Sequence, residues 1–321
     1  MRPESPTHIR RRRPVHLLGV PLERGAGTAG CVMGPAALRT AGLPQMLRDL
    51  GHDVIDCGDV ARPAMLDAVR LGEAVTHRCN NVEEVAAWTG AIHDAAYELL
   101  RQGGVPMFMG GDHAISMGTV SAVARRAEET GKTPVVLWID AHADFNTPET
   151  TPSGNLHGMA ISFLCGDPLL RPLLGNRPFV PVPPANFRLF GQRSIDAEER
   201  LRLRTHGISC TDMRMIDEQG VFPLISRVLG TLDPRRTHLH VSFDVDFVDP
   251  AIAPGTGTLV PGGATYREAH LIMEMLADSG LVGSVDVVEL NPFLDERGRS
   301  CQLVAELVAS LFGRTVLERA A

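Results

Sequence analysis

No stretch of this sequence reaches the roughly 18 to 20 apolar residues that a membrane span requires, so no membrane partner is expected. Basic charge is also scarce: the formal net charge of -7 makes nucleic acid an unexpected partner and a small molecule the better expectation. The only basic run, Arg10 to Arg13, is followed by too few apolar residues to make a signal-peptide core. It reads instead as part of a solvated, flexible tail over residues 1–14. The six cysteines (Cys31, Cys57, Cys79, Cys165, Cys210, Cys301) form no pair at zinc-knuckle or redox spacing, as expected of free thiols in a reduced, cytoplasmic protein. No internal repeat or low-complexity linker divides the remainder. Residues 15–321 are therefore expected to form one α/β domain, and 321 residues with 44% hydrophobic content are enough to bury its core.

What the sequence does contain is a regular alternation of short apolar runs with amphipathic segments, the pattern of repeated βα units on a doubly wound parallel sheet. Strands are predicted over His16–Val20, Val54–Asp56, Val105–Met109, Val135–Asp140, Phe187–Phe190, Leu239–Asp244 and Val285–Glu289. Two helix starts carry the capping-box pattern of an N-cap oxygen and an N3 carboxylate: Asn81-Val-Glu-Glu84, opening a helix to about Gln102, and Thr265-Tyr-Arg-Glu268, opening one that ends near Ser279.

Chemistry concentrates where these strands end. Asp140-Ala-His142-Ala-Asp144 stands directly behind the run Val135–Ile139. If the strand continues, residues two apart share a face, and Asp140, His142 and Asp144 converge on one point. Asp244-Val245-Asp246 repeats the arrangement behind His240-Val-Ser-Phe243, and Gly110-Gly111-Asp112-His113 adds an imidazole after a glycine turn. The pooled set, His113, Asp140, His142, Asp144, Asp244 and Asp246, has two imidazoles, four carboxylates and no thiol. Such oxygen-rich N/O sets suit Mn(II) or a similar divalent ion better than a closed structural zinc. Two long polar loops, Phe145–Gly158 and Pro250–Gly263, follow the carboxylate-bearing strands, where binding loops of parallel sheets belong.

Gly-Gly-Asp-His113, Asp140-Ala-His-Ala-Asp144, Ser-Phe-Asp-Val-Asp246 and Glu289-Leu-Asn-Pro292, in this order, resemble the motifs of the ureohydrolase superfamily. Within it, Asp144-Phe-Asn-Thr-Pro148, Ser153-Gly-Asn-Leu-His-Gly158, Pro254-Gly-Thr-Gly-Thr258 and Gly262-Gly-Ala-Thr-Tyr-Arg-Glu268 are similar to the arginase family, of bacterial type. The likeness runs from about His16 to the last helix. It implies a three-layer αβα sandwich around a mainly parallel eight-stranded sheet, with two Mn(II) ions per subunit at its carboxyl edge, although Co, Ni or Fe suits the same ligands. By the resemblance one ion takes His113, Asp140, Asp144 and Asp244, and the other His142, Asp140, Asp244 and Asp246. A bridging hydroxide then attacks the guanidinium carbon of L-arginine, giving L-ornithine and urea.

The resemblance also assigns the remaining site residues. Glu289 grips the guanidinium through paired hydrogen bonds, with Thr258 orienting it. Asp144 relays a proton and His157 shuttles protons to bulk water. Asn146, Ser153 and Asn155 receive the α-carboxylate, with Thr151 reached through water. Asp196 faces the α-ammonium, and Glu199 acts through solvent. Ser194 departs from the family, where some members carry an acid after the residue matching Arg193. A site built for a carboxylate rejects agmatine. An agmatinase or guanidino-acid amidinohydrolase is the alternative enzyme, and an arginine-binding paralogue without activity is the alternative of a different class. The family assembles as homo-oligomers, trimers or hexamers.

Overall fold

Apolar, β-branched runs that are buried on both faces belong in the middle of a parallel sheet, and short polar runs at its edges. The computed structural model of this chain, which describes residues 13–64 and 72–317, follows that rule. Its strands are Val15–Val20 (β1), Val54–Asp59 (β2), Val105–Gly110 (β3), Thr133–Ile139 (β4), Phe187–Gln192 (β5), Ser209–Asp212 (β6), Thr237–Asp244 (β7) and Val282–Val288 (β8). They form one sheet of order β2-β1-β3-β8-β7-β4-β5-β6, and every pair is parallel. The three-layer α/β architecture expected from the sequence is present. Of the tail expected over residues 1–14, only Arg13 and Pro14 lie within the described residues, and residues 65–71 and 318–321 of the expected domain lie outside them.

Side-chain alternation along β4 builds the layers. Val136 and Trp138 point into a core shared with the helices Val82–Gln102 and Ile115–Glu129. Val135, Leu137 and Ile139 point into the opposite core, under the helices Gly34–Thr40, Leu43–Asp49, Tyr266–Ser279 and Arg299–Leu311. Fully burying one such side chain contributes roughly 1.5–3 kcal/mol.

Two local expectations are corrected. Ser209–Asp212 pairs with β5 as an eighth strand that the apolar-run criterion passed over, because its four residues are small or polar and sit at an edge. Asn81 does not close a capping box. It adopts φ +50°, its Oδ1 accepts from Arg24 Nη2 at 2.8 Å and its Nδ2 donates to the Arg24 carbonyl at 3.0 Å, so its side chain braces a loop instead of the helix start. The Thr265 box does form: Thr265 N donates to Glu268 Oε2 at 2.8 Å and Glu268 N to Thr265 Oγ1 at 3.3 Å. No helix among the described residues is long and apolar enough to cross a membrane.

Candidate metal centre and substrate cleft

Three parallel strands, β3, β7 and β4, end on one side of the sheet and deliver every residue expected to hold metal, and β8, between β3 and β7, delivers Glu289. Register aligns them: Ile139 pairs with Phe243 and Asp244 with Val288, so Asp140, Asp244 and Glu289 leave adjacent strands at one level. Convergence then comes from turns, which corrects the expectation of a continuing strand. β4 stops at Ile139 and β7 at Asp244. At these two strand ends and at that of β3, an aspartate accepts the amide two residues on: Asp112 Oδ1 from Ala114 at 2.9 Å, Asp140 Oδ1 from His142 at 2.6 Å, Asp244 Oδ1 from Asp246 at 2.8 Å. These Asx turns fold the chain back over the sheet edge and swing the following ligands inward. Asp144 reaches the centre from a left-handed conformation (φ +47°) and Glu289 does the same (φ +63°), each costing roughly 1–3 kcal/mol that surrounding structure must offset.

The result is two donor groups that share one carboxylate. His113 Nδ1 faces Asp140 Oδ2 at 3.0 Å, Asp144 Oδ2 at 3.1 Å and Asp244 Oδ2 at 3.2 Å. His142 Nδ1 faces Asp246 Oδ2 at 3.0 Å and Asp140 Oδ1 at 3.4 Å. Donor atoms of His113, Asp140 and Asp244 lie within 4.8 Å of one another, and so do those of Asp140, His142 and Asp246. A single imidazole N–H serves one acceptor, yet three buried carboxylate oxygens crowd His113 Nδ1. Burial, then the charges of Asp246 and Asp140, drives the Asp244 carboxyl well above its ordinary range, and burial and the charge of Asp140 also raise Asp144 and Asp246. A divalent cation bound by hard oxygen and imidazole donors removes both conflicts, so these residues fit one. His113 is set for that role from behind. Its ring stacks on Trp138 at 4.0 Å between centroids, and its Nε2 is 2.8 Å from Ser242 Oγ, which fixes Nδ1 toward the carboxylates.

Glu289 stands beside this cluster, almost fully buried. Its Oε1 accepts from the His113 amide at 2.8 Å and lies 2.8 Å from His157 Nδ1. Its Oε2 is 3.6 Å from Cys31 Sγ. Burial alone would raise this carboxyl, but the His157 imidazolium and the His113 amide more than offset it and hold Glu289 below its ordinary value. Burial alone would likewise depress His157, and Glu289 and Asp144 instead lift it to about 9. Thr258, expected against Glu289, donates to Asp246 Oδ2 at 2.8 Å. The Glu289 oxygens already have partners in His113, His157 and Cys31.

A cleft opens over the cluster, lined by His142, Asp144, Asp244 and Thr258 below and by Asn146, Thr151, Ser153, His157, Asp196 and Glu199 along its walls. Ser194 also lines it. Asn146 Nδ2 donates to Asp196 Oδ2 at 2.9 Å, which joins two residues expected at opposite ends of the amino-acid head. Glu199 is buried and accepts the Phe145 amide at 2.7 Å, and burial raises its carboxyl to about 7. Asn155 is held beside the cleft: Asn80 Nδ2 donates to its Oδ1 at 2.9 Å and to the Ser153 carbonyl at 3.0 Å. The contacts of Asn80, Cys31 and Ser242 leave no signal in the sequence because each reaches a residue of a different, distant segment: Asn155, Glu289 and His113. Asp112 was in view as the residue before His113, yet nothing in its position signalled that its Oδ2 accepts the Gly25 and Ala26 amides at 2.7 and 3.1 Å and so ties the β1 loop to the site.

Comparison with known proteins agrees with this architecture. The model of the Arginase family matches residues 13–313. The chain is 49% identical over 306 residues to the arginase of Agrobacterium fabrum, covering 94% of this chain and 92% of that protein. The crystal structure of Bacillus caldovelox arginase superposes with a TM-score of 0.85 at 36% identity, over 95% of this chain and 100% of the other. Entamoeba histolytica arginase in complex with L-ornithine superposes with a TM-score of 0.81 at 27% identity, again over 95% and 100%. A match across nearly the whole length, with strand ends that bring the acidic and imidazole motifs together, leads to one conclusion: the chain belongs to the arginase family.

Proposed function

We propose that this protein hydrolyses L-arginine to L-ornithine and urea with two Mn(II) ions per chain. The observation that carries this reading is the pair of donor groups sharing Asp140, with the Glu289 carboxylate at their side. When bound, one ion at His113, Asp140, Asp144 and Asp244 and another at His142, Asp140, Asp244 and Asp246 would supply a nucleophile at neutral pH by lowering the pKa of water.

The chain's own residues do the rest. A guanidinium is cationic and resonance-stabilised, so it must be held still with its charge balanced. Glu289 does this, its position fixed by the His113 amide. His157 Nδ1 lies 2.8 Å from its Oε1, so a guanidinium held by Glu289 replaces one cation with another. His157, thus released at the cleft wall, is placed to carry protons between the site and solvent, and Asp144 to take the proton of the attacking water. Asn146 and Ser153 supply donors for the α-carboxylate, with Thr151 acting through water, and Asp196 supplies negative charge for the α-ammonium, with Glu199 acting through solvent. Free thiols at all six cysteines support a reducing, cytoplasmic setting. The test is urea release from L-arginine, agmatine and guanidinobutyrate side by side, with and without Mn(II). L-arginine is expected to be the preferred substrate, with kcat/KM for agmatine lower by ~10³ or more, and comparable values for the two overturn the substrate assignment.

A further inference from the structure

Arg193 is not among the residues expected to touch metal or substrate, yet it links the strand ends that form the second donor group. Its backbone amide donates to the Ala141 carbonyl at 2.8 Å, on the turn between Asp140 and His142. Its side chain then crosses to β7. Nη2 donates to the Asp246 carbonyl at 2.6 Å and also to the Val260 carbonyl at 2.7 Å; Nε donates to Val260 at 3.0 Å and Nη1 to the Phe247 carbonyl at 3.2 Å. One guanidinium thus bridges the Asp246 turn to the limb of the 250–263 loop that carries Thr258.

The surroundings are shaped for this contact. A Cβ at Gly263 would lie 2.7 Å from Arg193 Nη2, so a larger residue there would displace the fork. Gly191, two residues before Arg193, has φ +102°, and a Cβ there would lie 2.3 Å from the Phe247 ring. The base of the loop is closed without Arg193: Val248 bridges Ala264, and Asp249 Oδ2 accepts the Gly262 and Gly263 amides at 2.9 and 3.1 Å. What Arg193 adds lies inside the loop. It holds Asp246 and Val260 on one nitrogen, and across that same gap Thr258 Oγ1 donates to Asp246 Oδ2 at 2.8 Å. Asp246 Oδ1 meanwhile accepts the Ala141 amide at 3.1 Å, which closes the ring back to β4.

We propose that Arg193 is a positioning residue for the second donor group, its guanidinium fixing the Asp246 turn and the Thr258 limb in the register that presents the Asp246 carboxylate beside His142. A lysine replaces the planar fork with a point charge and cannot serve three carbonyls in fixed directions. The side-chain hydrogen bonds of this guanidinium go to the Asp246, Phe247 and Val260 carbonyls and to none of the side chains around His113, so its loss is expected to act on the second donor group more than on the first. The inference rests on the two-ion reading above.

The test is Mn(II) binding to chelator-stripped protein, followed by titration calorimetry and by electron paramagnetic resonance, where a neighbouring pair of ions is distinguished from an isolated one. Wild type is expected to take two ions and show the coupled pair. Arg193→Met is expected to keep one tight ion and to bind the other about 10–100-fold more weakly, with the isolated-ion spectrum at one equivalent, and Arg193→Lys to fall between. Melting of the metal-free proteins verifies the fold, and if Arg193→Met does not fold, Arg193→Lys carries the same comparison. Equal weakening of both ions, or two unchanged ions in the folded variants, overturns the inference while leaving the two-ion reading in place. A wild-type chain that takes a single ion overturns both.

Discussion

His157 Nδ1 sits 2.8 Å from Glu289 Oε1, so the side chain read as the proton carrier is paired with the carboxylate read as the guanidinium holder. The pair is made from the polar loop after β4 and the residue that follows β8, and its formation depends on the left-handed backbone at Glu289.

The pairing makes stability pH-dependent. The folded-state value of His157 is raised from 6.5 to about 9, so its stabilisation is fully present below pH 6.5 and is lost as pH rises toward about 9. In the metal-free protein, the melting temperature of wild type relative to His157→Gln is expected to fall across that window. A difference that stays constant from pH 6 to pH 9.5, measured by calorimetry, removes the pair as a stabilising element.

Proton transfer is separable from binding. His157→Ala is expected to depress kcat by roughly 10²-fold or more, with partial rescue by added imidazole, because general acid–base groups typically contribute about 10²–10⁴. If steady-state kinetics show only KM rising, the shuttle role is wrong.

Asp246 serves the second donor group and Asp140 serves both. Asp246→Ala is therefore expected to bind one Mn(II) per chain by elemental analysis, with turnover falling along with occupancy. Two ions per chain in that variant would contradict the assignment.

Ser153 lies on the cleft wall beside Thr151. As a donor to the α-carboxylate it is expected to be worth about 1.5 kcal/mol to L-arginine, roughly tenfold in kcat/KM, and nothing to agmatine, which has no carboxylate. Equal losses on both substrates in Ser153→Ala would place the carboxylate elsewhere.

Much of this site was legible because its ligands stand in short motifs directly behind apolar runs. The strands Val105–Gly110, Thr133–Ile139 and Thr237–Asp244 were located within a few residues, and the six imidazoles and carboxylates meet at their ends. What stayed hidden was contact between distant segments. Nothing local to Thr258 says that its hydroxyl reaches Asp246 and not Glu289, since that choice depends on how Arg193 seats the 250–263 loop. Asn81 shows the same limit. Its sequence fits a cap, but Arg24, remote in the chain, claims both ends of its amide. Ser209–Asp212 was missed because an edge strand needs only backbone pairing, which leaves no apolar trace.

The most direct measurement of the central claim is urea production from L-arginine by chelator-stripped protein as Mn(II) is restored, with bound metal counted in the same samples. Activity absent in the stripped protein and recovered in full as occupancy approaches two ions per chain is the predicted result. Undiminished activity in protein that retains no metal would contradict it.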